Sequence, residues 1–335
     1  MYDSVTPYLA NRRESYPLAW LRRTLRWVAG LGMLWLLAAC ARSGTEPGTP
    51  PPLPSRTVFP ADNPWNRDVS QDPVDPASDS LIASCGATHE LHPDFGTVYD
   101  GAPWGIPFVT VPGSQARVPV SFDYADESDP GPYPIPPSAP IEGGASSTGD
   151  RHVLVVDTDH WVLYELFDAH PGSGGASWTA GSGAVFDLSS DALRPAGWTS
   201  ADAAGLPIFP GLARYDEVAA GAITHALRFT CPVTREAYVP PARHWASSQT
   251  SANLPPMGMR VRLKAGVDIS AFPADVQVIL TALKRYGMML ADNGGAFFVS
   301  GAPDPRWNDA DINLMKRLHG SDFEVVQMAG LVAGP

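Results

Sequence analysis

Residues 149–170 read GDRHVLVVDTDHWVLYELFDAH. Two apolar arms rich in valine, leucine and aromatic residues flank the polar DTDH, and each arm is too short for a helix. Such a pattern predicts two antiparallel strands joined by a tight turn. Each arm also carries one residue out of keeping with its neighbours, His152 in the first and Glu165 in the second. With Thr158 and Asp159 as a two-residue loop, His152 falls opposite Glu165, Leu154 opposite Leu163 and Val156 opposite Trp161. Opposed residues point to one side of a sheet, so the histidine and the glutamate then share an otherwise apolar face that includes Phe167. A carboxylate there has its pKa raised by burial unless a cation pairs it, the setting from which proteins build a general acid or base. A three-residue loop instead sets Arg151 opposite Glu165 and turns the second strand over. Both registers remain open at this point.

Upstream, residues 57–148 are interrupted every few positions by proline or glycine, as in FPADNPWN, HPDFG and DPGPYPIPPSAPIEGG. Long helices do not survive that density of breakers. Short strands and ordered loops are expected, among them Ile106 to Val111 and Arg117 to Phe122 around the turn at PGSQ. Downstream come the strand-like GAVFDL, a helical turn from Arg214 to Ala220 and a strand from Ile223 to Thr230. In the last third, Val276, Ile279, Leu280 and Leu283 recur at helical spacing, with Gly287 placed to stop the helix. GMMLADNGGAFFVSG reads as a hairpin turning at Asn293-Gly294. Asn308 is placed to cap a helix over Asp309 to Leu318, and Phe323 to Gln327 makes a last strand. Together these predict a mainly β domain over residues 57–335, sandwich-like or jelly-roll-like, with two or three short helices chiefly in the C-terminal third. An α+β arrangement with a separate C-terminal subdomain is the alternative, although no linker marks a boundary.

The N-terminus says where the chain goes. Leu21 to Arg26 is basic, and Trp27 to Ala39 (WVAGLGMLWLLAA) is apolar, uncharged and short for a membrane span. It ends in Leu37-Ala38-Ala39-Cys40, which resembles the lipobox of bacterial lipoproteins. That resemblance implies cleavage before Cys40, a lipid on its side chain, and a protein anchored to a bacterial membrane facing the periplasm or the exterior. An uncleaved signal anchor is the alternative, and residues 1–20 add nothing to the signal. ARSGTEPGTPPPLPSR then forms a proline-rich tether, residues 40–56 with Cys40, unable to pack a core. Cys85 and Cys231 remain as a possible disulfide, which export permits; two separate thiols are the other reading.

Removing the five arginines and two acids of residues 1–39 from 23 basic and 35 acidic side chains leaves 18 and 33, a net charge of −15. A surface that negative repels phosphate backbones, so nucleic acid is not an expected partner. Tryptophans at positions 65, 104, 161, 178, 198, 245 and 307 are mostly core candidates, but any left exposed offers a flat face suited to a sugar ring. NPWNRDVS, GLPIFPGLARYDE and VSGAPDPRW resemble stretches of bacterial secreted proteins of unknown function, a resemblance that carries no mechanism.

Export, β architecture, tryptophan and scattered ionisable residues make a polysaccharide-active enzyme the leading expectation. In a glycoside hydrolase, Glu165 with Asp216 or Glu217 would supply the carboxylate pair. In a lyase, His152 or His225 would abstract a proton while Arg228 or Arg243 neutralises the substrate. His225 is placed on a strand face with Ile223, Leu227 and Phe229, where a hydrogen-bonded core histidine is the plainer interpretation. Arg243, His244 and Trp245, between proline-rich and serine-rich stretches, suggest an exposed loop able to bind an acidic sugar. The alternative function is a non-catalytic surface lipoprotein that binds glycans or a protein. No cofactor or metal site is expected: His89, His92 and Asp94 in THELHPDFG lack the spacing of a helical zinc motif, and no GxSxG, P-loop or dinucleotide motif is present.

Overall fold

The two arms form β6 (Val153–Asp157) and β7 (Val162–Phe167) in a computed structural model that describes Leu53 and residues 56–334. Their register differs from both expected ones. Leu154 faces Glu165, Val156 faces Leu163 and Asp157 faces Val162, leaving a four-residue loop from Thr158 to Trp161. Asp157 builds that loop: its carboxylate accepts the backbone N–H groups of Asp159 (3.1 Å) and His160 (3.0 Å) and meets His160 Nδ1 at 2.8 Å. A two-residue hairpin turn demands positive φ at its first central residue and often at both, which the β-branched Thr158 resists. Here Trp161 takes the positive φ, 57°. The shift from the two-residue-loop register is by two positions, so each side chain keeps its predicted face.

Those faces look into two cores. Leu154, Val156 and Leu163 join a large core, whereas Val153, Val155, Tyr164 and Leu166 join a smaller one. Both arms belong to a four-stranded sheet in the order β10 (Ser182–Asp187), β7, β6, β4 (Phe108–Val111), with β4 parallel to β6. The smaller core is completed by Tyr133, Ile135 and a three-stranded sheet of β5 (Val120–Phe122), β9 (Ser177–Ala180) and β8 (His170–Gly172). Covered on both sides, β6 is buried at all five positions, which explains its unbroken apolar run.

The large core also takes apolar side chains of a mixed six-stranded sheet. Its order is β1 (His92–Asp94), β15 (Phe298–Ser300), β11 (Leu227–Cys231), β14 (Met288–Asn293), β13 (Arg260–Leu263) and β16 (Phe323–Val325). Helix α3 (Ala274–Arg285) buries Val276, Ile279, Leu280 and Leu283 in the same core, as its spacing predicts. Gly287 follows it with φ 69°, where a side chain would collide with the Val261 carbonyl. Two small ribbons, β2 (Val98–Tyr99) with β3 (Ala102–Pro103) and β12 (Ala237–Tyr238) with β17 (Val332–Ala333), complete a mainly β fold. Helices α2 (Tyr215–Ala219) and α4 (Asp309–Ile312) are short, and the Asn308 side chain caps α4 through Ala310 N and Asp311 N. The described residues all fall in one unit, Glu46–Pro335.

Several expectations need correction. Strands β4 and β5 do not pair around PGSQ but lie in different sheets. Strands β14 and β15 are not a hairpin, because β11 is inserted between them, parallel to β14 and antiparallel to β15. The connection passes the end of β11, where Gly294 N–H donates to Cys231 O and Phe297 N–H to Thr230 O. Helix α1 (Ser78–Cys85) forms in the proline-rich region where only strands and loops are predicted. His225 precedes β11 and so shares no strand face with Leu227 and Phe229. Cys85 and Cys231 are disulfide-bonded, Cα atoms 5.2 Å apart, tying the end of α1 to the end of β11. The lipobox with Cys40, and the tether except Leu53 and Arg56, lie outside the described residues.

Candidate functional site

His152 and Glu165 share a side of the sheet but hold different partners. Glu165 is fully buried, and its carboxylate accepts the N–H groups of Ile208 (3.0 Å) and Phe209 (2.9 Å) at the start of a short helical turn. Burial, with Asp202 nearby, pushes its pKa up to about 7 even against those donors. His152, also buried, has Nδ1 2.6 Å from Glu142 Oε2 and Nε2 3.1 Å from the Ala201 carbonyl oxygen. Both ring nitrogens face acceptors, so the ring is an imidazolium that donates twice. Burial alone would lower its pKa, but the Glu142 carboxylate overrides this and lifts it to about 9.

Glu142 is the residue that the opening motif did not announce. It lies in the proline- and glycine-rich loop before β6, where its N–H donates to His152 O, and His152 holds its carboxyl below the usual range against the effect of burial. One residue beyond Ala201, Asp202 forms a two-point ion pair with Arg228 of β11 (2.9 and 2.8 Å). Arg228 also donates to Ser300 Oγ of β15 at 2.5 Å and lies 3.9 Å from Asp292 of β14. Burial and Asp202 push the Asp292 pKa up to about 7. These residues form a polar seam where loop 199–209 and the six-stranded sheet meet the face of β6 and β7.

The other predicted residues fall elsewhere. Glu217 accepts from Arg214 at 2.5 Å and sits 3.1 Å from His225 Nε2, while His225 Nδ1 donates to Ala226 O. Arg214 and His225 draw the Glu217 pKa down, burial notwithstanding. Glu165 meets this group through Phe209, whose N–H it accepts and whose carbonyl oxygen accepts from Arg214. Asp216 is exposed beside it. Arg243 donates to Arg194 O, His244 meets Ala203 O, and Trp245 lies parallel to Tyr238 and His244 at centroid distances of 5.9 and 6.0 Å. These three are half-buried anchors of their loop.

Glu142 also lines a surface cavity of about 270 Å³ with Asp94, Tyr99, Asp100 and Trp104. The β2–β3 hairpin makes one wall. Its turn, Asp100-Gly101, has φ of 48° and 79°, the conformation for which an Asp-Gly pair is suited. That dipeptide between short extended segments is the signal by which the site could have been found. Trp104 is half-buried; its Nε1–H donates to Asp94 Oδ1 at 3.1 Å, and its ring lies 5.8 Å from the exposed Tyr99. Asp94 and His92, two positions apart on β1, share a face of the strand, and His92 stacks on Phe298 at 4.0 Å with Trp104 edge-on at 6.3 Å. Among the described residues no three His, Cys, Asp or Glu side chains converge as a metal site, and no helix is long and apolar enough to cross a membrane. No protein-family model, curated protein or solved structure matches the chain.

Proposed function

We propose that the chain is a non-catalytic glycan-binding protein of the bacterial cell envelope, held at a membrane by a lipid on Cys40. The observation that carries this is the cavity at the β2–β3 hairpin, where Trp104 and Tyr99 stand beside the carboxylates of Asp94, Asp100 and Glu142. Aromatic faces pack against the C–H face of a pyranose, and carboxylate oxygens accept hydrogen bonds from its hydroxyls. A disulfide suits an exported protein.

An enzymatic alternative is less well supplied. Glycoside hydrolysis needs an acid kept protonated at the scissile bond, yet Glu165 and Asp292, whose pKa values are raised, do not line the cavity. A lyase base needs a free lone pair, and both nitrogens of His152 face acceptors.

Titration calorimetry of the purified chain with neutral glucose, xylose and N-acetylglucosamine oligomers tests the proposal. At least one series should bind, and Trp104→Ala should weaken it about tenfold or more without lowering thermal stability appreciably. Binding indifferent to Trp104, or release of reducing ends from a bound oligomer, would overturn it.

A further inference from the structure

We infer that this cavity prefers a cationic sugar, a hexosamine with a free ammonium group, over neutral or acidic rings; the inference rests on the glycan-binding reading. Among the described residues the lining side chains include Asp94, Asp100 and Glu142 and no lysine, arginine or histidine. Their charges are unequally answered. Glu142 gives Oε2 to His152, and among the described residues no donor reaches Oε1. Among the described residues Asp94 receives only the neutral Trp104 N–H. Asp100, exposed at the hairpin tip, has no hydrogen-bond partner among the described residues. The cations that act on the Glu142 carboxylate, His152 and Arg228, are both buried and neither lines the cavity.

A neutral ring satisfies these oxygens through hydroxyls but leaves the excess negative charge in place. An ammonium group adds a charge-assisted hydrogen bond to a carboxylate and an attraction to the electron-rich faces of Trp104 and Tyr99. Acetylating the amine removes both gains, and a uronic acid adds repulsion. This sets the cavity apart from the loop at 243–245, where an arginine prompted the expectation of an acidic sugar.

The test compares trimers of glucosamine, N-acetylglucosamine and glucose, alike in linkage, by calorimetry on the full-length detergent-solubilised chain in mildly acidic, low-salt buffer. The glucosamine trimer should bind about tenfold more tightly, and added salt should erode the difference. Asp100→Asn keeps a residue type that tolerates the left-handed backbone, so folding is not at stake. The quantity read is the ratio of affinities: Asp100→Asn should shrink the preference for the glucosamine trimer severalfold, with a smaller loss of affinity for the neutral trimers, and Glu142→Gln should shrink the same ratio. Equal affinity for the three trimers overturns cationic selection and leaves glycan binding standing. A preference unchanged in both variants overturns this cavity as its source. No binding by any trimer overturns cationic selection, and if the xylose series fails as well the glycan-binding reading falls with it.

Discussion

In the seam, Arg228 spends its guanidinium on Asp202 and Ser300, His152 spends both nitrogens, and Glu165 is filled by two backbone N–H groups. In the cavity, Asp100 and one oxygen of Glu142 have no protein partner among the described residues, the Trp104 indole is half-buried and the Tyr99 phenol is exposed. Carboxylates thus occur in both places, with opposite degrees of satisfaction. A buried polar group without a partner costs folding energy, so a folded domain completes its interior networks. Completed groups have little left to offer a ligand. A surface group left open loses nothing to water and keeps its capacity for one. Glu142 belongs to both regions: its Oε2 meets His152, and the residue also lines the cavity.

Removing one member of the seam should expose the difference most strongly. Arg228→Met leaves Asp202 buried without its cation, which costs about 3–5 kcal/mol. Urea denaturation should show that loss, while the folded fraction binds oligosaccharide as before. A cost below about 1 kcal/mol would mean that the Asp202–Arg228 pair is not structural.

The next effect is in pH. His152 has a folded pKa of about 9 against an ordinary 6.5, so its contribution is full below pH 6.5 and is lost as pH rises through 9. Its size is on the order of 3 kcal/mol. Glu165 is raised from 4.5 to about 7; the folded state favours its neutral form, so stability declines between those values and is level above. Both slopes run the same way, and the melting temperature should fall from about pH 5 to pH 9. Glu165→Gln, which retains an acceptor for Ile208 and Phe209, should flatten the lower part of that fall. His152→Gln should flatten the upper part. A wild-type profile that rises across this range would contradict the charge states assigned to the seam.

How much of this was legible beforehand differs between the regions for physical reasons. The faces of β6 and β7 were readable because alternation survives a two-residue slip, although the four-residue turn built by Asp157 was not foreseen. Helix α3 and the Asn308 cap follow from local rules. The insertion of β11 between β14 and β15 does not, since nothing local to GMMLADNGGAFFVSG encodes a strand arriving from sixty residues upstream. His152 was singled out, but its partner Glu142 sits in a loop with no periodicity to mark it. In the cavity, Asp100-Gly101 was a readable hairpin signal, whereas the approach of Glu142 to Trp104 depends on how the loop before β6 lies against β2 and β3.

The smallest effect tests whether the indole itself forms the cavity's platform. Gly96 precedes the hairpin, its N–H donates to Trp104 O, and its open Cα lets the ring lie close. A methyl group there would come within 2.8 Å of Trp104 Cε3 and 2.6 Å of Asp309 Oδ1. The Gly96 φ is not in the left-handed range, so Gly96→Ala strains no backbone and its cost, about 1 kcal/mol, falls on moving the ring and the Asp309–Thr97 contacts. Because the three atoms nearest that methyl belong to Asp309 and Trp104 and not to a cavity carboxylate, calorimetry should show affinity for every trimer falling a fewfold together, with the order of preference unchanged. A stability loss with affinity intact would place the sugar against Tyr99 rather than Trp104. A change in preference instead would mean that the ring and the carboxylates do not act separately, and the division between platform and charge would have to be redrawn.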